Sequence, residues 1–321
     1  MLSVGILSTA SIVPRFIAAV RETDCVQIEA ISSRKIESAR NFADLYGISK
    51  AYGSHDELLS DPDVDAVYVA MISSEHAYWV LKALEAGKHV FCEKPMALNP
   101  DDVRMIFELA RKKNLFVMEM QKAVFLPVMT EIKNIIKNNV LGNITMASFS
   151  SSFRSGYNSW FMDLSKGGGP WYSNAGYTVA LLQYLFDCKV SDVSGLCTKS
   201  ELTAENQFET SMSLENGLLA SCRNSTTVPL PNEAILYGEK GRIEIPNFWK
   251  AGKAKLIVSG NDPVILDYPC DHELVYEVRH AAECIRNGLI ESPVMTEEMS
   301  TSTAGILYKM SRFWQDSGLI G

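Results

Sequence analysis

The sequence has little of what marks several common classes of protein. It has 30 lysines and arginines against 38 aspartates and glutamates, a formal net charge of −8, so it lacks the basic surface that binds nucleic acid. No apolar run reaches the ~20 residues of a membrane-spanning helix, and no basic flank with an apolar core marks the N-terminus. We therefore expect no nucleic-acid partner, no membrane partner and a cytoplasmic location.

Cysteines are few and scattered. The seven lie at positions 25, 92, 188, 197, 222, 270 and 284, without the two-residue spacing of zinc or redox motifs. His280 and Cys284 could share a helical face, but no further ligand is near them in sequence. We predict reduced, packed cysteines and no metal site.

What is present is an ordinary globular composition in 321 residues, enough for two domains. Up to residue 121, apolar runs alternate with helical patterns, which predicts a parallel sheet with right-handed crossovers. This is the pattern of a Rossmann domain, a doubly wound α/β fold, over residues 1–121. The predicted strands are 2–7, 26–31, 66–70, 89–92 and 115–118, and the predicted helices are 12–20, 36–46, 76–85 and 101–113.

Beyond residue 121 the pattern changes to alternating segments with turns such as Glu215-Asn216-Gly217, which favours antiparallel strands. We predict a second α/β domain over residues 122–321. Its predicted strands are 144–153, 208–214, 218–224, 235–237, 242–245, 254–258 and 264–268. Its predicted helices are 127–138, 178–186, 274–287 and 297–316.

The turn after the first predicted strand is a candidate nucleotide-binding turn. A glycine-rich turn lets the backbone approach a pyrophosphate at a helix N-terminus, but Ser8, Ala10 and Val13 stand at the corresponding positions here. The location of the turn between strand and helix favours cofactor binding, and a purely structural turn is the alternative. The expected cofactor contacts in this turn are Ser8, Thr9, Ala10, Ser11 and Ile12.

The residues after the second strand favour NADP over NAD. An acidic residue usually binds the ribose hydroxyls of NAD, whereas Ser32-Ser33-Arg34-Lys35 follows Ile31. Hydroxyls and two cations suit a 2′-phosphate, so we expect Ser33, Arg34 and Lys35 to contact it. The alternative is that Ser33 caps the next helix and the two cations are solvated.

The segment Glu93-Lys94-Pro95 follows a strand that reads as buried. Ligands bind beyond the carboxyl ends of open parallel sheets, and an ammonium there can stabilise negative charge on a substrate oxygen. A loop lysine is more often a solvated charge. However, Glu93 and Pro95 constrain the partner and backbone of Lys94, and a cis bond before Pro95 would constrain it further.

Several motifs together resemble one family. They are Gly87-Lys88-His89-Val90 through Glu93-Lys94-Pro95, Asp65-Ala66-Val67-Tyr68, His76, and Gly167-Gly168-Gly169 leading to Tyr177. The chain resembles the glucose-fructose oxidoreductase, inositol dehydrogenase and rhizopine-catabolism (GFO/IDH/MocA) family. Its closing segment, Tyr276-Glu277 through Glu291-Ser292-Pro293 with Thr296, is similar to the dimeric dihydrodiol dehydrogenase branch.

The resemblance implies an enzyme that transfers a hydride between NADP or NAD and a hydroxyl-bearing carbon of a small sugar, polyol or diol. It also implies a large, mostly antiparallel open sheet in the second domain that joins subunits into a homodimer or homotetramer. Lys94 and Tyr177 would be the catalytic pair, although Tyr177 and His76 could instead serve only to pack or begin helices. Further implied cofactor contacts are Met71, Ser73, His76, Glu93 and Lys94, and implied substrate contacts are Lys94, Trp160, Ser173, Asn174 and Tyr177.

Two departures from the family pattern affect these expectations. Ser173 stands where members often have an aspartate, and Ala180 stands where they often have a second acid. Polyhydroxylated sugars are therefore less secure as substrates. Trp160, Trp171 and Tyr172 suggest either an aromatic-walled pocket or ordinary packing. An alternative function is a nucleotide-binding regulator or scaffold that has kept the fold without efficient catalysis.

Overall fold

The computed structural model describes residues 1–154 and 160–321, which divide into two compact units. Unit 1 comprises Met1–Ala97, Asp101–Gln121 and His272–Glu297, and unit 2 comprises Leu98–Pro100, Lys122–Asp271 and Glu298–Gly321. No helix of the described residues is both long and apolar enough to cross a membrane.

The helices and strands are numbered here in chain order. The strands are β1 Leu2–Leu7, β2 Val26–Ser32, β3 Lys50–Tyr52, β4 Ala66–Val69, β5 His89–Glu93, β6 Val117–Met120, β7 Ile144–Ser152, β8 Val190–Lys199, β9 Glu205–Leu214, β10 Leu219–Ser225, β11 Glu233–Gly238, β12 Gly241–Pro246, β13 Lys253–Val258 and β14 Val264–Asp267. The helices are α1 Val13–Arg21, α2 Ile36–Tyr46, α3 His55–Leu59, α4 His76–Glu85, α5 Pro100–Lys113, α6 Pro127–Lys137, α7 Gly176–Phe186, α8 Val275–Arg286 and α9 Glu297–Asp316.

Unit 1 is built on a six-stranded parallel sheet with the order β3-β2-β1-β4-β5-β6. Every residue of β4 is buried, as expected for a central strand covered on both faces. The order reverses between β1 and β4, where such folds bind ligands at the carboxyl ends of the strands. The predicted doubly wound parallel sheet is confirmed.

The segment His272–Glu297 groups with unit 1 by its contacts, although the domains predicted from the sequence assigned it to residues 122–321. Helix α8 packs against α1 and β2, and Arg279 donates to the backbone oxygen of Glu22 at 2.7 Å. The backbone N–H of Val117 also donates to Ile290 O at 3.1 Å. These pairs are far apart in sequence, so periodicity could not assign them.

Unit 2 is built on an eight-stranded sheet among the described residues, ordered β14-β13-β12-β11-β7-β10-β9-β8. Its pairs are antiparallel except β7 with β10, which confirms the large, mostly antiparallel sheet. The buried Trp171 packs against Phe208 of β9 and Trp314 of α9 with ring centroids 5.0 and 5.2 Å away. Strand, helix and turn therefore share one core.

Three of the numbered strands and helices were not predicted, namely β3, α3 and β8, and β6 begins two residues later than expected. β3 has three residues and α3 has five, too few to show a period. In β8 the register shifts between Val190 and Asp192, and buried positions are sparse. This irregularity hides the two-residue alternation by which a strand is recognised.

Candidate active site

The predicted cofactor residues of unit 1 lie beyond neighbouring carboxyl ends of its parallel strands. Leu7 at the end of β1 pairs with Ser32 of β2 and with Val69 of β4, and Val69 pairs with Cys92 of β5. This register brings the segments after these four strands to one edge. The edge of the sheet at the carboxyl ends of its strands therefore brings four segments together: Ser8–Ile12, Ser33–Lys35, Met71–Ser73 and Glu93–Lys94.

Ser8 adopts a backbone conformation that glycine usually supplies. Its φ is 115°, which costs about 1–3 kcal/mol for a residue with a side chain. The hydroxyl offsets part of this cost, because it donates to Ala70 O at 2.7 Å and accepts from Ala10 N at 3.0 Å. The turn thus keeps its sharp shape without glycine and leads into α1, whose first N–H groups have no partner within the helix.

The segment after β2 presents cations to solvent. Arg34 and Lys35 are exposed, and Ser33 is half-buried with its N–H donating to Tyr52 O. Ser33 does not cap α2, since the residue before that helix is Lys35 and makes no side-chain cap. Beneath, Ser32 Oγ lies 2.8 Å from His55 Nδ1, and burial together with the Arg34 charge lowers the pKa of His55. Arg34 and Lys35 therefore present a guanidinium and an ammonium at this edge of the sheet.

Lys94 lies directly after β5. It follows Glu93 in the chain and is joined to Pro95 by a cis peptide bond. Glu93 accepts hydrogen bonds from Tyr68 OH at 2.6 Å and from Lys94 N at 3.3 Å. Burial lowers the pKa of Lys94, while the charges of Glu93 and Glu119 oppose that shift. Lys94 is half-buried at this edge, and an ammonium there, favoured by the charges of Glu93 and Glu119, can donate to a substrate oxygen.

His76 connects two loops at this edge. Its Nδ1 lies 2.7 Å from Pro95 O and its Nε2 lies 2.9 Å from Met71 O, and the side chain is buried. Burial lowers the pKa of His76, although the two carbonyls oppose this. These contacts favour a structural role at the start of α4, whereas Met71 and Ser73 remain half-buried at the edge.

In unit 2, Tyr177 lies in the first turn of α7, after the triple-glycine turn and one π-helical turn, Trp171–Ala175. Ser173 lies in that turn, where both its N–H and its hydroxyl donate to Gly169 O at 3.2 and 2.8 Å. Asn174 is half-buried in the same turn. Backbone geometry therefore presents residues 173, 174 and 177 from one short segment.

Of the three aromatic residues near this turn, two are buried in the core and one is partly exposed. The Trp171 ring is fully buried, with Nε1 donating to Leu307 O at 2.8 Å, and Tyr172 donates to Leu98 O at 3.3 Å. Ordinary packing is therefore the better interpretation of both. Trp160 is half-buried and packs edge-on against Phe161, so it keeps exposed surface.

Three buried residues of the two units were missed in the sequence. Glu119 of β6 accepts from Met96 N at 3.2 Å, beside the Lys94 loop. Glu205 of β9 accepts from Trp171 N at 2.6 Å, and burial raises the pKa of Glu205 to about 8. Lys122 lies 5.5 Å from the Tyr177 ring centroid. The only sequence signal was a charged residue next to an apolar run.

Glu205 brings an acid to the turn that has no aspartate at position 173. A Cβ on Gly169 would lie 2.3 Å from its Oε1, so the carboxylate occupies the space that the glycine leaves. No group of three or more metal-binding side chains was found among the described residues.

Comparisons with known proteins agree with this arrangement. Residues 2–121 match the oxidoreductase family with NAD-binding Rossmann fold, and residues 129–244 match the GFO/IDH/MocA C-terminal domain. Trans-1,2-dihydrobenzene-1,2-diol dehydrogenase of Xenopus laevis is 32% identical over 318 residues, covering 94% of this chain and 95% of that protein. The Mus musculus enzyme of that name is 31% identical over 290 residues, covering 88% and 86%.

Solved structures share the fold. A 3-ketoreductase from Actinomadura kijaniata, in complex with NADP and TDP-benzene, has a TM-score of 0.86 at 20% identity over 97% of both chains. Aldose-aldose oxidoreductase from Caulobacter crescentus has a TM-score of 0.87 at 22% identity, covering 97% of this chain and 98% of that one. The sheet edge and these matches define an NAD(P)-dependent oxidoreductase. The chain belongs to the GFO/IDH/MocA family, and it is similar to the dihydrodiol dehydrogenases within it.

Proposed function

We propose that the chain is an NADP-preferring dehydrogenase or reductase acting on a hydroxyl or carbonyl carbon of a small diol-like, polyol or sugar substrate. One observation carries the proposal: Lys94 lies at the same strand edge as the Ser8 turn, with its pKa lowered by burial. The similarity to dihydrodiol dehydrogenases favours a cyclic diol. Turnover of trans-1,2-dihydrobenzene-1,2-diol, compared with sugars and polyols, tests the substrate class.

The proposed chemistry uses two side chains, Tyr177 and Lys94. In the oxidative direction the Tyr177 phenolate takes the proton of the substrate hydroxyl, while the carbon gives up a hydride and becomes a carbonyl. The Lys94 ammonium donates a hydrogen bond to the same oxygen and stabilises its developing negative charge. A nicotinamide cofactor, held by the residues beyond the carboxyl ends of the unit 1 strands, would supply the hydride acceptor. The proton thus goes to Tyr177, the hydride goes to the cofactor, and Lys94 stabilises the charge on the substrate oxygen.

Arg34→Ala should lower the affinity for NADPH about 10- to 100-fold and leave NADH affinity nearly unchanged. The physical reason is that a guanidinium contributes about 1.5–3 kcal/mol through charged hydrogen bonds to a phosphate that NADH lacks. Titration of cofactor fluorescence with purified protein measures both affinities. Lys35→Ala should act in the same direction.

Arg40→Ala is the matched control, because Arg40 is an exposed arginine on α2. It removes the same charge from the same unit, and NADPH affinity should change little. Equal losses for both cofactors in Arg34→Ala would contradict the phosphate contact. No binding of either cofactor to the wild type would contradict the proposed function as a whole.

We also propose that the outer face of the unit 2 sheet joins subunits. Met146 of β7 pairs with Leu219 of β10 and Tyr237 of β11, and all three are exposed, at 57%, 56% and 40%. Adjacent apolar side chains on three neighbouring strands form a patch that water disfavours. A second copy of the same face would cover it with two-fold symmetry, giving a homodimer or, with a further contact, a homotetramer.

Met146→Asp should convert the assembly to monomers, since it places a charge in the centre of a buried apolar contact. Sedimentation velocity at micromolar concentration measures the mass. Leu45→Asp is the control, because Leu45 is 73% exposed on α2 in unit 1. A wild-type monomer, or an unchanged oligomer in Met146→Asp, would rule out this interface.

A cytoplasmic location is part of the proposal. The seven cysteines are free, and four of them are buried, as suits a compartment that keeps thiols reduced. Fractionation of cells, with antibody detection of the protein, checks the location.

A further inference from the structure

Tyr177 has a buried lysine beside it within unit 2. Lys122 begins the short helical turn Lys122–Phe125, which packs against α7. Its Nζ lies 5.5 Å from the centroid of the Tyr177 ring. Lys122 is 5% exposed and Tyr177 is 8% exposed. Because both belong to one unit, that unit's own packing fixes this geometry.

A buried ammonium strongly affects a nearby phenol. Removing an ammonium from water is costly, and water screens its field less inside a protein than at the surface. A positive charge within about 4–6 Å of a titratable group favours the negative form of that group. Lys122 Nζ lies 5.5 Å from the centre of the ring that carries the phenol oxygen, and in the tyrosinate form the negative charge is shared between that oxygen and the ring. The Lys122 charge therefore favours the tyrosinate form of Tyr177.

We propose that Lys122 is a positioning residue for catalysis, whose ammonium stabilises the Tyr177 phenolate and lets it accept the substrate proton nearer neutral pH. This rests on the acid/base role proposed for Tyr177. Free tyrosine titrates near pH ~10, so a base at that position needs a nearby cation. Lys122 supplies this charge from the domain that carries the tyrosine.

The same unit holds a second lysine–tyrosine pair for comparison. Lys133 Nζ lies 4.3 Å from the Tyr184 ring centroid, two turns further along α7. Lys133 also pairs with Asp187. This pair has the same residue types as Lys122 and Tyr177 and lies in the same unit, but its tyrosine is at a different position along α7. Lys133 therefore serves as the control for Lys122.

Elements that contact α7 carry other charged or titratable groups. Burial raises the pKa of Tyr172 and of Cys222 to about 12, so both are uncharged near neutrality. Lys133 and Lys137 both pair with Asp187. The remaining groups on these elements are Glu131 of α6, Asp192, Cys197 and Lys199 of β8, Arg223 of β10, and Glu297, Glu298, Tyr308, Lys309, Arg312 and Asp316 of α9. Of these, Asp192 pairs with Lys309, Arg223 with Glu209 and Glu298 with Lys189.

The direct test is a spectroscopic titration of Tyr177 in the full-length protein. Tyrosinate absorbance of the wild type minus that of Tyr177→Phe isolates this residue, and the same difference is taken in each lysine background. Lys122→Met should raise the Tyr177 midpoint by about 1–3 pH units, and Lys122→Arg should restore much of the shift. Lys133→Met should leave the midpoint unchanged. Equal midpoints in wild type and Lys122→Met would overturn the proposal.

The kinetic test uses the pH dependence of alcohol oxidation. Activity requires the phenolate, so it rises with pH through the Tyr177 pKa, and Lys122→Met should move that rise to higher pH by the titrated amount with KM little changed. If Lys122→Met does not fold, Lys122→Gln gives the same neutral test. If the midpoint shifts while Tyr177→Phe keeps wild-type turnover, the acid/base role of Tyr177 fails and only the electrostatic effect of Lys122 stands. A shifted midpoint with an unshifted activity profile would also contradict the proposal.

Discussion

Lys94→Met should lower kcat by about 1,000-fold or more while cofactor affinity stays near the wild-type value. The substitution keeps much of the side-chain length and removes the ammonium that stabilises charge on the substrate oxygen, an effect of about 10²–10³-fold for one donor. Loss of its part in proton transfer adds to this. Steady-state turnover and cofactor fluorescence titration separate the two properties.

Lys82→Met is the matched control for that experiment. Lys82 is a partly exposed lysine of α4 whose ion pair with Asp56 is at the surface, so its loss should leave kcat within about twofold because such pairs contribute little. Wild-type kcat in Lys94→Met would remove Lys94 from the mechanism. Turnover that vanishes in Lys94→Met but persists in Lys82→Met excludes a nucleotide-binding scaffold without catalysis.

Gly169→Ala should destabilise the protein by about 3 kcal/mol or more. Gly169 has φ +91°, and a Cβ there would lie 2.3 Å from the Glu205 carboxylate. The substitution therefore combines backbone strain with overpacking, each typically about 1–3 kcal/mol. Urea unfolding monitored by circular dichroism gives the free energy of unfolding. Activity should also fall, since this turn leads to Tyr177.

Gly217→Ala provides a close control, because Gly217 has φ +86° in the same unit and nothing within 4 Å of the added Cβ. It should cost only the backbone strain, about 1 kcal/mol. In a Glu205→Ala background, Gly169→Ala should cost about as little, since the obstructing carboxylate is gone. Similar losses for both glycines in the wild-type background would show that Glu205 is not the obstacle.

The site in unit 1 was largely predictable because its residues follow strands that the sequence marks clearly. The near-continuous apolar runs at β4 and β5 predicted a parallel sheet, and parallel strands bring their carboxyl ends to one edge. Lys94 and the Ser8 turn could therefore be assigned to the same edge before any coordinates. The nucleotide turn was a weak signal only because Ser8 takes a conformation that glycine normally supplies.

The interactions of unit 2 were less predictable because they join residues far apart in sequence. Glu205 meets Trp171 across 34 positions, and Lys122 meets Tyr177 across 55 positions. Trp171 read equally well as a pocket wall or as core, and only its packing against Phe208 and Trp314 decided between them. Local periodicity carries no information about such contacts.

The sequence by itself determined the class of fold and the edge of the unit 1 sheet at which the proposed cofactor contacts lie. It also pointed to Lys94 and Tyr177 as candidate catalytic residues. All of these depend on local patterns along the chain. Only the tertiary structure decided that Glu205 occupies the space beside Gly169, that His76 connects two loops, and that Lys122 lies beside Tyr177. These contacts depend on which side chains, distant in sequence, pack into the same core. Burial then strengthens the electrostatic effect of the charged ones, because water screens them less.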